Sequence, residues 1–534
     1  MPFATAHTVS LHGAVGHLID VQADISPGQV ATVLIGRPDA SLQEARDRCR
    51  MAVINSGFEW PMTRRTTVLL APADLSKSGT HYDLAIAVAV LAASDQVPRE
   101  ALEGTAFVGE LTLSGGLRSV PGVLPMVLAA AERGIHRVFV PEPHAREAAM
   151  VPGMTVFGMR SLGQVVAELR GEEVPEAPPV APMSGSRLLA WRGQQRLEEL
   201  DFRDLFGMAD AKYAVEVAAS GGHHVLLTGP KGAGKTSLAE RIPTILPELT
   251  PEESLELTAV HSLAGALEPG DGMITTPPYS GPHHDASKAS LIGGGSGQVR
   301  PGEISRAHCG VLFMDEFPLF RSDVIEALRQ PLESGEITVA RQEESVTLPA
   351  RCLLVLACNP CPCGEYTGSA TTNRCRCGAP KLRDYQAKIT GPIADRIDIS
   401  RWVDPLRRPD PLEVPESSAQ IRERVAAVRA RQHHRYRDEA WRLNGQAPGA
   451  ALRESWPLRP TAAGKLQDQV YSGKLSSRGG VRVHRLAWTI ADMRSVATGT
   501  DVTPGVDELD TALRLRNRDP LLLSTLQRGE RRAG

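Results

Sequence analysis

Long apolar runs are missing from this 534-residue chain. No uncharged stretch approaches the ~18–20 residues that span a bilayer, and the longest, Leu84 to Ala93, follows Asp83 and reads as a core helix. Met1-Pro2-Phe3-Ala4 opens no secretory leader, so the expected place of work is the cytoplasm, with no membrane partner. A strong charge of either sign is missing too. Lys and Arg number 59 against 62 Asp and Glu, a net charge of −3, so the whole chain is no electrostatic magnet for nucleic acid. Any DNA contact has to be a local patch or a lining built by several copies. Cysteine is sparse: eight in a long cytosolic chain exclude a disulfide framework and direct attention to where they cluster. No internal repeat recurs. What is present, 42% hydrophobic and 23% charged residues, is the composition of a globular protein. The length exceeds one hydrophobic core, and about two to four domains are expected.

Gly229-Pro230-Lys231-Gly232-Ala233-Gly234-Lys235-Thr236 fits G-x-x-x-x-G-K-S/T, and the apolar run Val225-Leu226-Leu227-Thr228 before it reads as the strand feeding a phosphate-binding loop. Glycines let successive backbone N–H groups turn inward on a β-phosphate, Lys235 neutralises the β- and γ-phosphates, and Thr236 is placed for Mg²⁺. Cys309 to Met314 is a second apolar strand, ending in Asp315-Glu316. Asp315 can hold Mg²⁺ through water while Glu316 deprotonates the attacking water. A third strand, Cys352 to Ala357, ends near Asn359, a polar group placed to align that water. Chemistry on a lytic water means hydrolysis, so the expected activity is that of an ATPase with ATP and Mg²⁺ as cofactors.

The expected architecture is multidomain, α/β and α+β. Residues 1–170 carry β-like runs at Ala31–Ile35 and Thr67–Leu70 and helical stretches at Leu42–Asn55, Tyr82–Ala93 and Val123–Arg133, an α+β domain. Residues 171–186, rich in Pro, acid and small side chains, read as a linker. Residues 187–405 alternate strand and helix as a parallel α/β core, interrupted by a Gly-, Pro- and His-rich insertion at 265–305 and a β-hairpin at 336–350. Residues 406–534 are mainly helical and Arg-rich, as suits a lid over a nucleotide.

These stretches resemble the YifB/ComM family, in the magnesium-chelatase-like branch of the AAA+ ATPases. The likeness also rests on Pro282-His283-His284, Gly293-Gly294-Gly295, Arg300 to Ser305, Ala327 to Glu333, Cys358 to Gly364 and Gly391 to Asp398, and it covers nearly the whole chain. It implies a helix-2 insertion, a presensor hairpin and a homo-hexameric ring. In that ring Arg396 reaches the neighbour's γ-phosphate and Asn359 is the first sensor. Leu475-Ser476-Ser477-Arg478 points to Arg478 as the second sensor, ahead of Arg482 and Arg485. The amino-terminal domain is similar to the proteolytic domain of Lon, on a ribosomal-S5-like fold. Where Lon would carry its serine and lysine this chain has His81 and the apolar Val123-Leu124-Pro125-Met126. A Ser/Lys dyad needs a hydroxyl beside an amine, so the domain is read as structural or recognition-bearing.

Cys361, Cys363, Cys375 and Cys377 form a C-x-C…C-x-C array within one short, Gly- and Arg-containing loop. Four soft ligands suit tetrahedral Zn²⁺. The neighbouring imidazoles of His283 and His284 are read as structural or DNA-facing rather than metal-binding. The resemblance implies a motor acting on single-stranded or branched DNA, a helicase or translocase promoting branch migration in recombination during natural transformation. Cations for that task are Lys288, Arg300, Arg341, Arg376, Lys381 and Arg383. The alternative is a chelatase-like or other ATP-driven remodeller of a tetrapyrrole or protein substrate.

Overall fold

Two sheets with different sequence signatures organise the chain. The computed structural model describes residues 3–12, 15–75, 77–181, 199–268, 271–294, 299–341, 344–366, 374–390, 393–404 and 415–521. The first sheet is mixed and seven-stranded. Its long hairpin, β1 (Phe3–His12) and β2 (Val15–Ser26), pairs antiparallel with Phe3 opposite Asp24 and His12 opposite Val15. Ala4, Ala6 and Ala23 fill inward positions of this hairpin, so hydrophobic contrast along it is low and a period-2 search passes it over.

There follow β3 (Ala31–Ile35), α1 (Ala40–Asn55), β4 (Arg65–Ala71), α2 (Asp83–Ala93), β5 (Thr105–Phe107), α3 (Val123–Glu132), β6 (Arg137–Pro141), α4 (Ala145–Ala148), β7 (Thr155–Met159) and α5 (Leu162–Arg170). The strand order is β3-β4-β2-β1-β5-β6-β7. Every residue of α2 is buried, which explains an apolar run with no polar face. Residues 171–181 form no helix or strand, yet they are fastened along this unit. Pro175 O accepts from Gln164 Nε2 at 2.8 Å, Ala177 O from Arg160 Nη1 at 3.2 Å and Ala181 O from Ser119 Oγ at 3.1 Å, and Val180 is buried. The rest of the expected linker, 182–186, lies outside the described residues.

The second sheet is parallel throughout. After α6 (Ala209–Gly221) come β8 (Val225–Thr228), α7 (Lys235–Ile245), α8 (Pro251–Leu263), β9 (Tyr279–Ser280), β10 (Val311–Met314), α9 (Arg329–Ser334), the hairpin β11 (Glu336–Arg341) and β12 (Glu344–Pro349), β13 (Leu353–Cys358), α10 (Ala379–Thr390) and β14 (Ile399–Trp402). The order β9-β10-β13-β8-β14 puts β8 between β13 and β14. Strands β8, β10 and β13 are buried along their length, as continuous apolar runs in a parallel sheet covered on both faces should be. The segment read as an insertion also supplies the edge strand β9, parallel to β10.

Helices α11 (Ser418–Arg435), α12 (Pro460–Tyr471), α13 (Ser477–Thr498) and α14 (Val506–Asn517) complete the described chain. They share one hydrophobic core with α6, α7 and the sheet, through Ile421, Val425, Leu486 and Leu509 against Val215, Leu238 and Val225. The first unit is joined to the second by α3 on α8. Val123, Met126 and Val127 pack with Leu255 and Ala259, Gly122 N donates to Ser262 O at 3.1 Å, and the Ser262 hydroxyl donates to the buried Glu147.

Candidate active site

Parallel pairing sets the site. Thr228 lies opposite Cys358 and Met314 opposite Leu356, so the phosphate loop, Asp315-Glu316 and Asn359 all emerge from neighbouring strand ends, where α/β sheets bind ligands. Gly229 N donates to Cys358 O at 3.2 Å. Gly229 also has no room for a side chain, because a Cβ would stand 2.3 Å from Val403 O. Lys235 Nζ donates to Gly229 O at 2.8 Å, Pro230 O at 2.9 Å and Asn359 Oδ1 at 3.2 Å. Burial pushes its ammonium below the ordinary value, with Asp315 and Glu316 opposing. Thr236 Oγ1 donates to Asp315 Oδ2 at 2.8 Å, and Asp315 Oδ1 accepts from Glu316 N at 2.8 Å. Glu316 holds φ at 49°, a left-handed conformation that costs a residue with a Cβ about 1–3 kcal/mol and is found where side chains are aimed for function. The residues that would hold a nucleotide and Mg²⁺ therefore already touch one another, in a donor set of ammonium, hydroxyl and carboxylate that fits both.

A second cluster forms around Glu333 at the end of α9. Arg396 Nε and Nη2 lie 3.0 and 2.7 Å from Glu333 Oε1, and Arg478 Nη2 is 3.7 Å from the same atom. The flanks of Arg396 are held by the carboxy-terminal helices. Asp395 Oδ1 accepts from Ser476 Oγ at 2.9 Å, Asp395 O from Arg482 Nε at 3.1 Å, and Asp398 Oδ1 from Arg482 Nη1 at 2.7 Å. Burial disfavours the Asp398 charge, but Arg482 and the nearby His223, His224 and Arg485 hold its carboxyl well below the usual range. Arg485 is spent on Ala447 O at 2.8 Å. Arg482 and Arg485 thus build the frame, while Arg478, 63% exposed, is left on the surface.

The four cysteines meet. Cys361 Sγ is 3.2 Å from Cys363 Sγ, and Cys363 Sγ is 3.6 Å from Cys375 Sγ. With Cys377, all four sulfur atoms lie within 4.8 Å of one another. Tetrahedral Zn–S bonds of ~2.3 Å put sulfurs ~3.8 Å apart, so the cluster has the donor set and size for a metal ion. Cys49, Cys309, Cys352 and Cys358 stand apart from it. Burial raises all four thiols. His283 and His284 both face Asp285, at 3.3 and 3.7 Å. Asp285, the next residue along, thus sets a carboxylate beside both imidazoles in an exposed turn.

Three family models match in sequence order: "Subunit ChlI of Mg-chelatase" over 21–144, "Magnesium chelatase, subunit ChlI" over 201–410, and "Magnesium chelatase, subunit ChlI C-terminal" over 415–516. Relatives align over most of the chain. An uncharacterized protein of Mycobacterium tuberculosis is 43% identical over 97% of this chain and 99% of its own length. YifB of Escherichia coli is 39% identical, and competence protein ComM of Haemophilus influenzae 37%, each over 92% of this chain and 94% of the relative. The chain belongs to the YifB/ComM family of magnesium-chelatase-like AAA+ ATPases.

In this family member the residues expected where Lon would carry its dyad are buried. His81 is buried with Nε2 2.9 Å from Val9 O, and Met126 is buried on the face of α3 that meets α8. Lys288, Arg300, Arg376, Lys381 and Arg383 are exposed. The hairpin tip, Gln342 and Glu343, and the Arg341 side chain lie outside the described residues, as do Gly295, Gly391 and Pro392. The shared carboxylate Glu333 and the frame residues Asp395 and Asp398 are the functional candidates that sequence reading passed over, although all three fall inside motifs it quoted. Among the described residues, no helix is long and apolar enough to cross a membrane.

Proposed function

We propose that this chain assembles into a homo-hexameric ring whose ATP hydrolysis drives movement on single-stranded or branched DNA, promoting branch migration when incoming DNA recombines. The observation that carries the ATPase half is the meeting of Lys235 with Asn359 and of Thr236 with Asp315 at adjacent strand ends. Lys235 exchanges the Gly229 and Pro230 carbonyls for the β- and γ-phosphates, while the backbone of Gly229 to Gly234 wraps the β-phosphate. Thr236 and Asp315 would hold Mg²⁺, which would supply neutralisation of the phosphate charge. Glu316 takes a proton from the attacking water, and Asn359 orients it. Arg396, with Arg478 beside it, stabilises the charge on a phosphate bound by the neighbouring copy.

The DNA half draws on the name of the Haemophilus relative, a competence protein, and on the exposed cations of the 265–305 segment and the cysteine loop. In a closed ring those cations repeat, so their effect on a phosphate backbone adds although each chain is near neutral. The cysteine cluster is read as a Zn²⁺ site. The amino-terminal unit is read as a non-peptidase domain, which its buried His81 and Met126 support.

The test is ATP turnover with and without a forked or four-way DNA, beside a porphyrin control and mass photometry. Hexamers forming with ATP, turnover stimulated by junctions, and binding that weakens steeply with salt are expected. Rings that hydrolyse ATP with no response to DNA, but respond to a porphyrin, move the assignment to a chelatase-like remodeller, the reading that the family descriptions favour.

A further inference from the structure

The segment between Cys358 and Gly364 touches the phosphate loop three times. Its first contact is Cys358 O, which accepts from Gly229 N at 3.2 Å. Its second is Asn359, buried, whose Oδ1 accepts from Lys235 Nζ at 3.2 Å. The third is a packing contact. Gly364, at φ 85°, closes a tight turn by donating its N–H to Cys361 O at 3.0 Å, and a Cβ there would stand 3.1 Å from Lys231 Cγ and 3.4 Å from its Cδ and Cε. The stem of Lys231 thus lies on the bare glycine. Between the second and third contacts sit Cys361, fully buried, and Cys363, two members of the four-sulfur cluster.

Cys358 to Cys361 and Gly364 are buried, while Cys363, Cys375 and Cys377 are only half-buried, so an ion held by the four sulfurs would tie the outer half of the loop to the buried half. Fixing Cys361 and Cys363 fixes the two ends of a short bridge whose other contacts are Asn359 on one side and Gly364 on the other. We propose that the four-cysteine cluster is a metal-dependent brace of the nucleotide site: with the ion bound, the Cys361–Gly364 turn holds Lys231 and Asn359 in place, and without it the phosphate loop loses its wall. Lys231 and Gly364 are then positioning residues, acting through the loop. The inference rests on the cluster being a metal site and on Gly229–Thr236 binding nucleotide, and it adds that occupancy of the first controls the second.

The experiment uses the full-length chain, purified with its metal, stripped with a neutral chelator that is then removed, and restored with Zn²⁺ alone. Zinc content, affinity for a fluorescent ATP analogue, kcat, and hydrogen exchange of residues 229–236 are read on each sample. Stripping is expected to lower kcat by about tenfold or more, the scale of losing support to a catalytic group, to weaken the analogue several-fold, and to speed exchange in 229–236, all reversed by Zn²⁺. Gly364→Ala keeps all four ligands but pushes a methyl group against Lys231, so it should retain zinc while weakening the analogue and speeding exchange. That variant decides the matter if the stripped protein unfolds. A stripped chain that binds the analogue, turns over and exchanges like the loaded one overturns the brace while leaving the metal site standing, as does a Gly364→Ala protein indistinguishable from the parent. Protein that never contains or takes up zinc instead removes the metal reading itself.

Discussion

Arg396 grips Glu333, its Nη2 2.7 Å and its Nε 3.0 Å from one carboxylate oxygen. Arg478 approaches the same atom at 3.7 Å. One carboxylate thus gathers two guanidiniums from distant parts of the chain, one just before β14 and the other at the start of α13. In the ring proposed above, the pair would turn to a phosphate bound by an adjoining copy.

Arg396→Ala should bind ATP normally but lose turnover by about 10³-fold, the usual worth of an arginine supplied in trans. Arg478→Ala should lose less, because its side chain is more exposed and makes the longer contact. Mixing Arg396→Ala with Lys235→Ala, each nearly inactive, should restore part of the activity, because the first supplies intact phosphate loops and the second intact arginines. Steady-state turnover of the mixture checks this. No recovery at any ratio would place Arg396 in its own chain's site.

Lys235→Ala should abolish binding of a fluorescent nucleotide, since the loop loses its buried cation. Glu316→Gln should bind ATP and hardly turn over, by about 10²–10⁴-fold if it serves as general base, and should trap assembled rings. Parental turnover in Glu316→Gln would mean another base.

About one Zn²⁺ per chain is expected from elemental analysis. Replacing Cys361 and Cys375 together by Ser should release it and lower the melting temperature, because coordination supplies folding energy. A double variant that keeps stoichiometric zinc would point to other ligands.

His223 and His224 are pushed down to about 4 by burial. His224 is held neutral because its Nδ1 accepts from Leu354 N at 3.1 Å. An unfolded imidazole binds its proton below about 6.5 and the folded ones only below about 4, so the unfolded state gains protons first. Stability therefore falls as pH drops through that window. Asp83, pushed up to about 6 by burial, acts in the opposite sense, so the useful measure is a difference. A His223→Gln/His224→Gln double variant should show a shallower loss of melting temperature between pH 6.5 and 4 than the parent. Equal slopes would mean that these rings titrate normally.

Much of the parallel-sheet unit is legible in the sequence because its signals are local. A strand, a glycine loop and an amphipathic helix follow one another from Val225 to Ile245, and Met314-Asp315-Glu316 needs no distant partner to be read. The helices at Ala40–Asn55 and Ser477–Thr498 also carry a local signal in their caps, Asp39 accepting from Leu42 N and Ser476 Oγ from Gly479 N. What escapes reading is contact across long separations. Nothing in the local pattern of Glu333 says that it meets Arg396 and Arg478, and nothing near Gly364 says that Lys231 lies on it. Residues 171–181 look unable to fold because their composition has no core of its own. They are instead fastened by carbonyl oxygens, which composition does not register.

The seating of α3 on α8 bears on how the polypeptide tolerates being cut. Both surfaces are apolar, with Met126 and Val127 on one side and Leu255 and Ala259 on the other, and a desolvated hydroxyl–carboxylate pair, Ser262 and Glu147, sits between them. A protease nick in the stretch joining the two units would break the covalent tie and leave that seam closed. The fragments would co-migrate under native conditions and separate only in denaturant, and either half made alone would carry an uncovered greasy face looking for its mate.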